Sequence, residues 1–182
     1  MGTKLHQESV WAGTEASLKA ALEAEEGAAQ RLAAGNYAQD EQQDHPRLLE
    51  ISDGVAVVSI KGPLNNDEGI FNEIFGMTGY PEIRDALVTA ANDPEVKNIL
   101  LDIDSGGGAV SGVSDTANLI RMINDQVKPV STFSDGTMAS AAYWLGCAAG
   151  SVSAGKTAVV GSIGVISTHM ERSQAMKEAG IG

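Results

Sequence analysis

The sequence predicts an α/β domain built on a mainly parallel sheet with βαβ crossovers, preceded by a helical N-terminal extension. Three observations predict it. Short β-favouring runs alternate with apolar stripes of helical period between Gly54 and Ala149. Glycine-rich turns punctuate these segments, notably Gly62-Pro63, Gly106-Gly107-Gly108 and Asp135-Gly136. The chain has 182 residues, of which 43% are hydrophobic and 21 are glycine, enough apolar mass for one core with close helix–strand packing.

The elements follow in order. Thr14 to Ala34 places Leu18, Ala21, Leu22, Ala29 and Leu32 at helical spacing with glutamates on other faces, an amphipathic helix in search of a partner. Gly35 to Arg47 is polar and reads as a linker, so residues 1–48 are an extension and residues 49–182 the domain. Gly54 to Ile60 is the first core strand, and Gly62-Pro63 ends it. Asn65 to Gly79 is loop-like, with apolar spots at Ile70, Phe71, Ile74, Phe75 and Met77 that suit a substrate face, a subunit contact or core packing. Pro81 opens a helix to about Ala91, with Ile83, Leu87 and Ala90 on one face. Lys97 to Ile103 is a strand of the kind covered on both faces. Ser111 to Gln126 is the crossover helix, its buried stripe being Val113, Ala117, Ile120 and Ile123. Val130 to Phe133 is the next strand, Asp135-Gly136 a turn, and Ala139 to Ala149 a helix with little bulk at its start.

Two of these segments carry chemistry. A strand running into Gly106, Gly107 and Gly108 exposes backbone N–H groups that can point at an anionic oxygen, although glycine runs also build ordinary turns. Ser140, in the first turn of the next helix, sits where unpaired N–H groups favour an alkoxide, although serine also caps helices. In open parallel sheets ligands bind beyond the carboxyl ends of the strands, where both segments lie. Together they have the minimum geometry of a serine acyl-transfer site.

The ordered blocks LDIDSGGGAVSG, KPV, ASAAYWLGCAAG and TAVVGSIGVI resemble the signal peptide peptidase A family of serine peptidases, and the stretch GSIGVISTHMERSQAMKEAGI resembles its phage head maturation branch. The resemblance spans roughly Leu49 to Gly182 and implies a Clp/crotonase-like fold with a Ser–Lys dyad. It puts the nucleophile on Ser140, oxyanion donors on the N–H groups of Gly107 and Ala141, and a lysine-orienting role on Ser162. It further implies scaffold or capsid-assembly polypeptides as substrates and a homo-oligomer. Gly106 stands where the family loop has proline, which loosens the loop without removing donors. The general-base lysine of the family lies beyond Gly182, so the domain reads as truncated at its C-terminal end. Lys156 and Lys177 look solvated, and His169 reads as structural in spite of the histidine base of related Clp proteases.

Composition narrows the classes. A net charge of −12 repels a phosphate backbone, so no nucleic-acid partner is expected. No membrane-length apolar run or signal core is present, which fits a cytoplasmic or prohead location and no membrane partner. Cys147 is the single cysteine, expected as a small buried hydrophobe. His6, His45 and His169 have no metal-ligand spacing, and neither metal nor cofactor is expected. Asp102 and Asp104 share a strand face and read as structural, while Asp115 and Arg121 read as helix surface. Two other classes stay open: a non-catalytic assembly module that keeps the fold, and an acyl-CoA enzyme with the same oxyanion loop but no serine nucleophile.

Overall fold

The structure, a computed structural model, describes residues 11–13, 19, 48–67, 72 and 76–166. The expected helix at 14–34, the linker and four of the apolar spots (Ile70, Phe71, Ile74, Phe75) lie outside the described residues, Lys19 apart.

Strand β1 is Trp11–Gly13. The core opens with the hairpin β2 (Leu49–Ser52) and β3 (Val55–Lys61). Asp53 and Gly54 join them with φ of +51° and +81°, the two positive values that a two-residue turn needs to match strand twist. β4 (Leu64–Asn65) and β5 (Thr78–Gly79) follow, then helix α1 (Tyr80–Asn92), with Pro81 in its first turn where a missing N–H costs nothing. Next come β6 (Asn98–Asp104), β7 (Gly107–Ala109) and helix α2 (Val113–Gln126). The chain continues with β8 (Val130–Ser134), β9 (Thr137–Ala139), helix α3 (Ala141–Gly146), β10 (Ser151–Ala154) and β11 (Val159–Gly161).

The main sheet has five strands in the order β10-β8-β6-β3-β2, parallel except for β2. The mainly parallel α/β architecture is thus as expected. Each of β3, β6, β8 and β10 is followed by a short strand of a second layer, where β5, β4, β7 and β1 pair in one sheet and β9 and β11 in another. A bridge between Ser105 and Met138 joins these two parts.

Side chains on the main strands alternate. Ala56, Val58 and Ile60 on β3 and Ile99, Leu101 and Ile103 on β6 are fully buried, and they form one core with Ile83 and Leu87 of α1 and Ile120 and Ile123 of α2. The opposite face carries Val57, Ser59, Leu100 and Asp102, all half-buried. Among the described residues, helices cover one face of β6 and Leu100 and Asp102 on the other are only half-buried, so the two-sided cover expected of this strand is partial. A parallel strand needs apolar residues on both faces only when both are roofed, and here the helices roof one. On the other face Asp102 pairs with Lys61 of β3 at 2.7 Å.

Candidate active site

The site grows from Ser105, the residue between β6 and β7. Its N–H donates to Thr137 O (2.6 Å), and its own carbonyl accepts from Ala139 N–H (3.1 Å), which sews β9 to the end of β6. Its hydroxyl donates to Gly62 O (2.6 Å) and accepts from Gly107 N–H (3.1 Å). One buried serine therefore ties together the end of β3, the start of the glycine strand and the strand that leads to Ser140. Asp104 adds a second tie by accepting from Thr137 N–H at 2.8 Å, while Gly136 leaves room for its carboxylate. The structural reading of Asp102 and Asp104 agrees with these contacts.

Gly107 has a φ of +94°. Gly108 pairs with Leu64, and a Cβ built on it would meet the Leu64 carbonyl oxygen at 1.9 Å, so only glycine lets β4 approach β7 this closely. Downstream, the Tyr80 hydroxyl donates to Ala109 O at 2.7 Å and fixes the far end of β7. Burial pushes that phenol well above the ordinary tyrosine range. Neither Ser105 nor Tyr80 stands out in the sequence. A serine before glycines looks like turn chemistry, and a tyrosine before Pro81 looks like a helix start.

Ser140 is the hinge between β9 and α3. Its φ of +53° and ψ of −115° lie outside the regions open to an ordinary L-residue, a strain of about 1–3 kcal/mol that the surrounding structure must hold. It is held by three bonds. Ser140 N–H donates to Gly161 O (2.8 Å), Trp144 N–H donates to Ser140 O (2.9 Å), and the hydroxyl donates to Gly164 O (3.1 Å). The residue is only 7% exposed. The expected helix from Ala139 to Ala149 is thereby corrected: Thr137–Ala139 is strand, and the helix runs only from Ala141 to Gly146. Pairing of β9 with β11 outweighs the helix propensity of the alanines.

Beside Ser140 lies a cavity of about 380 Å³, lined by Val110, Ala141, Tyr143, Trp144, Cys147, Ile163, Gly164 and Val165. The lining is mostly apolar, and the volume lies at the lower end of the range of ligand pockets. Ala141, fully buried, is the first helical residue, so its N–H has no intrahelical acceptor. α3 packs on β7, and Val110, the residue after β7, reaches the cavity wall. Ser140, Ala141 and the end of the glycine strand thus meet at one place, while the Gly107 N–H is engaged with Ser105 Oγ. Cys147 is exposed at this wall instead of buried, because α3 ends at Gly146 and leaves its thiol beside the Tyr143 phenol. That thiol, first by its hydrogen bond, pushes the phenol upward.

Ser162 also has a φ of +53°, but it is exposed, next to the cavity-lining Ile163. Lys156 is exposed in the turn between β10 and β11, and Asp115 and Arg121 are exposed on α2, as expected. His6, His45, His169 and Lys177 lie outside the described residues. Among the described residues no lysine or histidine lines the cavity, and no group of acidic, histidine or cysteine side chains could hold a metal ion.

A serine joining a strand to a helix, next to a glycine strand, is the arrangement expected for Ser140 from the sequence, and here that serine is strained and lines an apolar cavity. The model of Peptidase family S49 matches residues 122–182, a stretch that includes Ser140 and Ser162. The chain is 36% identical over 135 residues to the capsid assembly protease C of Escherichia phage lambda, covering 74% of this chain and 30% of the relative. It is likewise 36% identical over 135 residues to the head-tail preconnector protein GP5 of Enterobacteria phage P21, covering 74% and 27%. The chain therefore spans less than a third of the length of these two relatives. The resemblance read from the ordered blocks is borne out by these matches. Among solved structures it is similar to an enoyl-CoA hydratase/isomerase family member, at 18% identity and a TM-score of 0.49, over 63% of this chain and 49% of that one. Among the described residues no helix is long and apolar enough to cross a membrane.

Proposed function

We propose that this chain carries the nucleophile of a serine endopeptidase of the Ser–Lys type that processes capsid-assembly polypeptides. The observation that carries the proposal is the strained, positive-φ backbone of a buried Ser140 that lines an apolar cavity. A position strained by 1–3 kcal/mol or so persists where its neighbours over-determine it, and such positions cluster at active sites.

In the proposed reaction Ser140 Oγ attacks a peptide carbonyl, and the hydroxyl proton passes to the neutral amine of a lysine outside these residues. The N–H groups of Ala141 and Gly107 receive the oxyanion, and Ser162 orients the lysine. Collapse of the intermediate expels the amine with that proton and leaves an acyl-Ser140, which water then hydrolyses. Two rearrangements are required: the Gly107 N–H must share or leave Ser105 Oγ, and the Ser140 hydroxyl must leave Gly164 O. The polypeptide substrate class and assembly as a homo-oligomer in the host cytoplasm or prohead rest on likeness to the phage relatives.

A second reading has its own observation. Among the described residues no lysine, histidine or carboxylate lines the cavity and the hydroxyl is bound to a carbonyl, which suits an assembly module without turnover. Incubation of a capsid scaffold polypeptide with the chain, alone and in a longer form that contains the lysine, separates the two. Cleavage by the longer form that disappears in its Ser140→Ala variant is the expected result. Assembly without cleavage by either form overturns the peptidase reading.

A further inference from the structure

We propose that Ile163–Val165 is a self-inhibitory strap, closed in this structure, whose Gly164 carbonyl withholds the Ser140 hydroxyl, and that the chain opens it by pivoting at Gly161-Ser162. A serine hydroxyl has one proton to donate, and Ser140 gives it to Gly164 O at 3.1 Å. While that bond stands, no base can take the proton. The inference rests on the reading of Ser140 as nucleophile and adds to it a means of regulation.

The stretch has the anatomy of a movable part. β11 pairs with β9 only as far as Gly161 opposite Ala139, and Ser162–Val165 belongs to no strand. Ile163, Gly164 and Val165 form one wall of the cavity, yet Ile163 is 86% exposed and Val165 61%, so moving them away forfeits little buried apolar surface. The pivot shows in the backbone. Gly161 and Ser162 have consecutive positive φ values of +130° and +53°, the first suited to glycine and the second a strain on serine. Cβ atoms built on Gly161 or Gly164 meet nothing within 4 Å, so no neighbour obstructs the turn. Closing the strap gains one net hydrogen bond, and opening it relieves one strained residue. The two are of similar size, so the balance between positions is close. Only the open fraction can react, and the strap thereby sets how much of the nucleophile is available.

Hydrogen exchange on the chain reads the strap without turnover. Ser140 N–H donates to Gly161 O at the pivot (2.8 Å), whereas Trp144 N–H donates to Ser140 O (2.9 Å) on the helix side. Ser140→Ala removes the hydroxyl bond, and Gly161→Ala strains the closed pivot without a clash. Each should speed exchange of the residue-140 amide about fivefold, the factor for one net hydrogen bond, and leave the Trp144 amide unchanged. In a form extended to supply the proposed lysine, Gly161→Ala should raise the rate of fluorophosphonate labelling at Ser140 by the same factor as it raises the exchange. Unchanged residue-140 exchange in Ser140→Ala, or equal labelling rates with and without Gly161→Ala, overturns the strap. Should Gly161→Ala fail to fold, the exchange of Ser140→Ala decides alone. Absence of labelling in both extended forms counts instead against Ser140 as nucleophile, and the exchange result then decides the strap by itself.

Discussion

Ser140 and Ser162 have the same left-handed φ of +53°, yet the two positions differ in everything that surrounds them. Ser140 is wedged between β9 and α3, with its N–H, carbonyl and hydroxyl all bonded. Ser162 is exposed between Gly161 and Ile163, and Cβ atoms built on Gly161 and Gly164 would touch nothing within 4 Å. The contrast extends to their neighbourhoods. Strand β8, which leads to Ser140, buries Val130, Thr132 and Ser134, whereas all four residues of β10, which leads to Ser162, are exposed. A strained backbone does not by itself define a site. What distinguishes Ser140 is that the scaffold holds the strain in place and puts a cavity in front of it.

The comparison can be broken by unequal substitutions in the two regions. Leu101→Ala, in the fully buried face of β6, should lower unfolding free energy by about 2–5 kcal/mol in urea titration, while Val160→Ala on exposed β11 should change it by less than about 0.5 kcal/mol. Similar losses at both would mean that the β11 edge is packed as tightly as the core. Ser105→Ala should cost about 1–3 kcal/mol by leaving Gly62 O and Gly107 N–H without their shared partner. A neutral result would remove Ser105 from its place between the glycine strand and β9.

Relief of strain gives a smaller effect of opposite sign. Ser162→Gly should raise stability by up to about 1 kcal/mol, because glycine adopts positive φ freely. Ser140→Gly should gain less, since it also gives up the hydroxyl bond to Gly164 O. A larger gain at Ser140 than at Ser162 would contradict the bonding described for it. The smallest effect concerns alkali. Tyr80 is held neutral by burial, whereas in the unfolded chain it ionises near pH 10 or so, so stability present below that pH falls as pH rises above it. Tyr80→Phe should flatten that part of the stability–pH curve.

Much of this arrangement is legible in the sequence, for a physical reason. The core of β3, β6, α1 and α2 depends on local periodicity, and Ile83, Leu87, Ile120 and Ile123 fall where their spacing puts them. The two-residue strands β4 and β5 are too short to show a period, and they exist because Leu64 meets Gly108 and Thr78 across long loops. β2 goes unread in the sequence analysis, although Asp53-Gly54 is a pair that suits a two-residue hairpin. At the site, the serine among alanines is visible in the sequence, but the start of its helix is not, because β9 pairs with β11, a distant partner. The exposure of Cys147 is equally hidden from the sequence, since it follows from the early end of α3 at Gly146. Ser105 and Tyr80 act through backbone atoms of residues far along the chain, and a single sequence contains no trace of such bonds.

The measurement that bears most directly on Ser140 is the location of a fluorophosphonate adduct, found by peptide mass spectrometry after labelling the chain and a form extended to supply the lysine that the proposed Ser–Lys reading calls for. An adduct on Ser140, absent from the Ser140→Ala variant and accompanied by none on Ser162, is the predicted result. An adduct confined to another serine, or none on a form that cleaves its polypeptide substrate, would contradict the account.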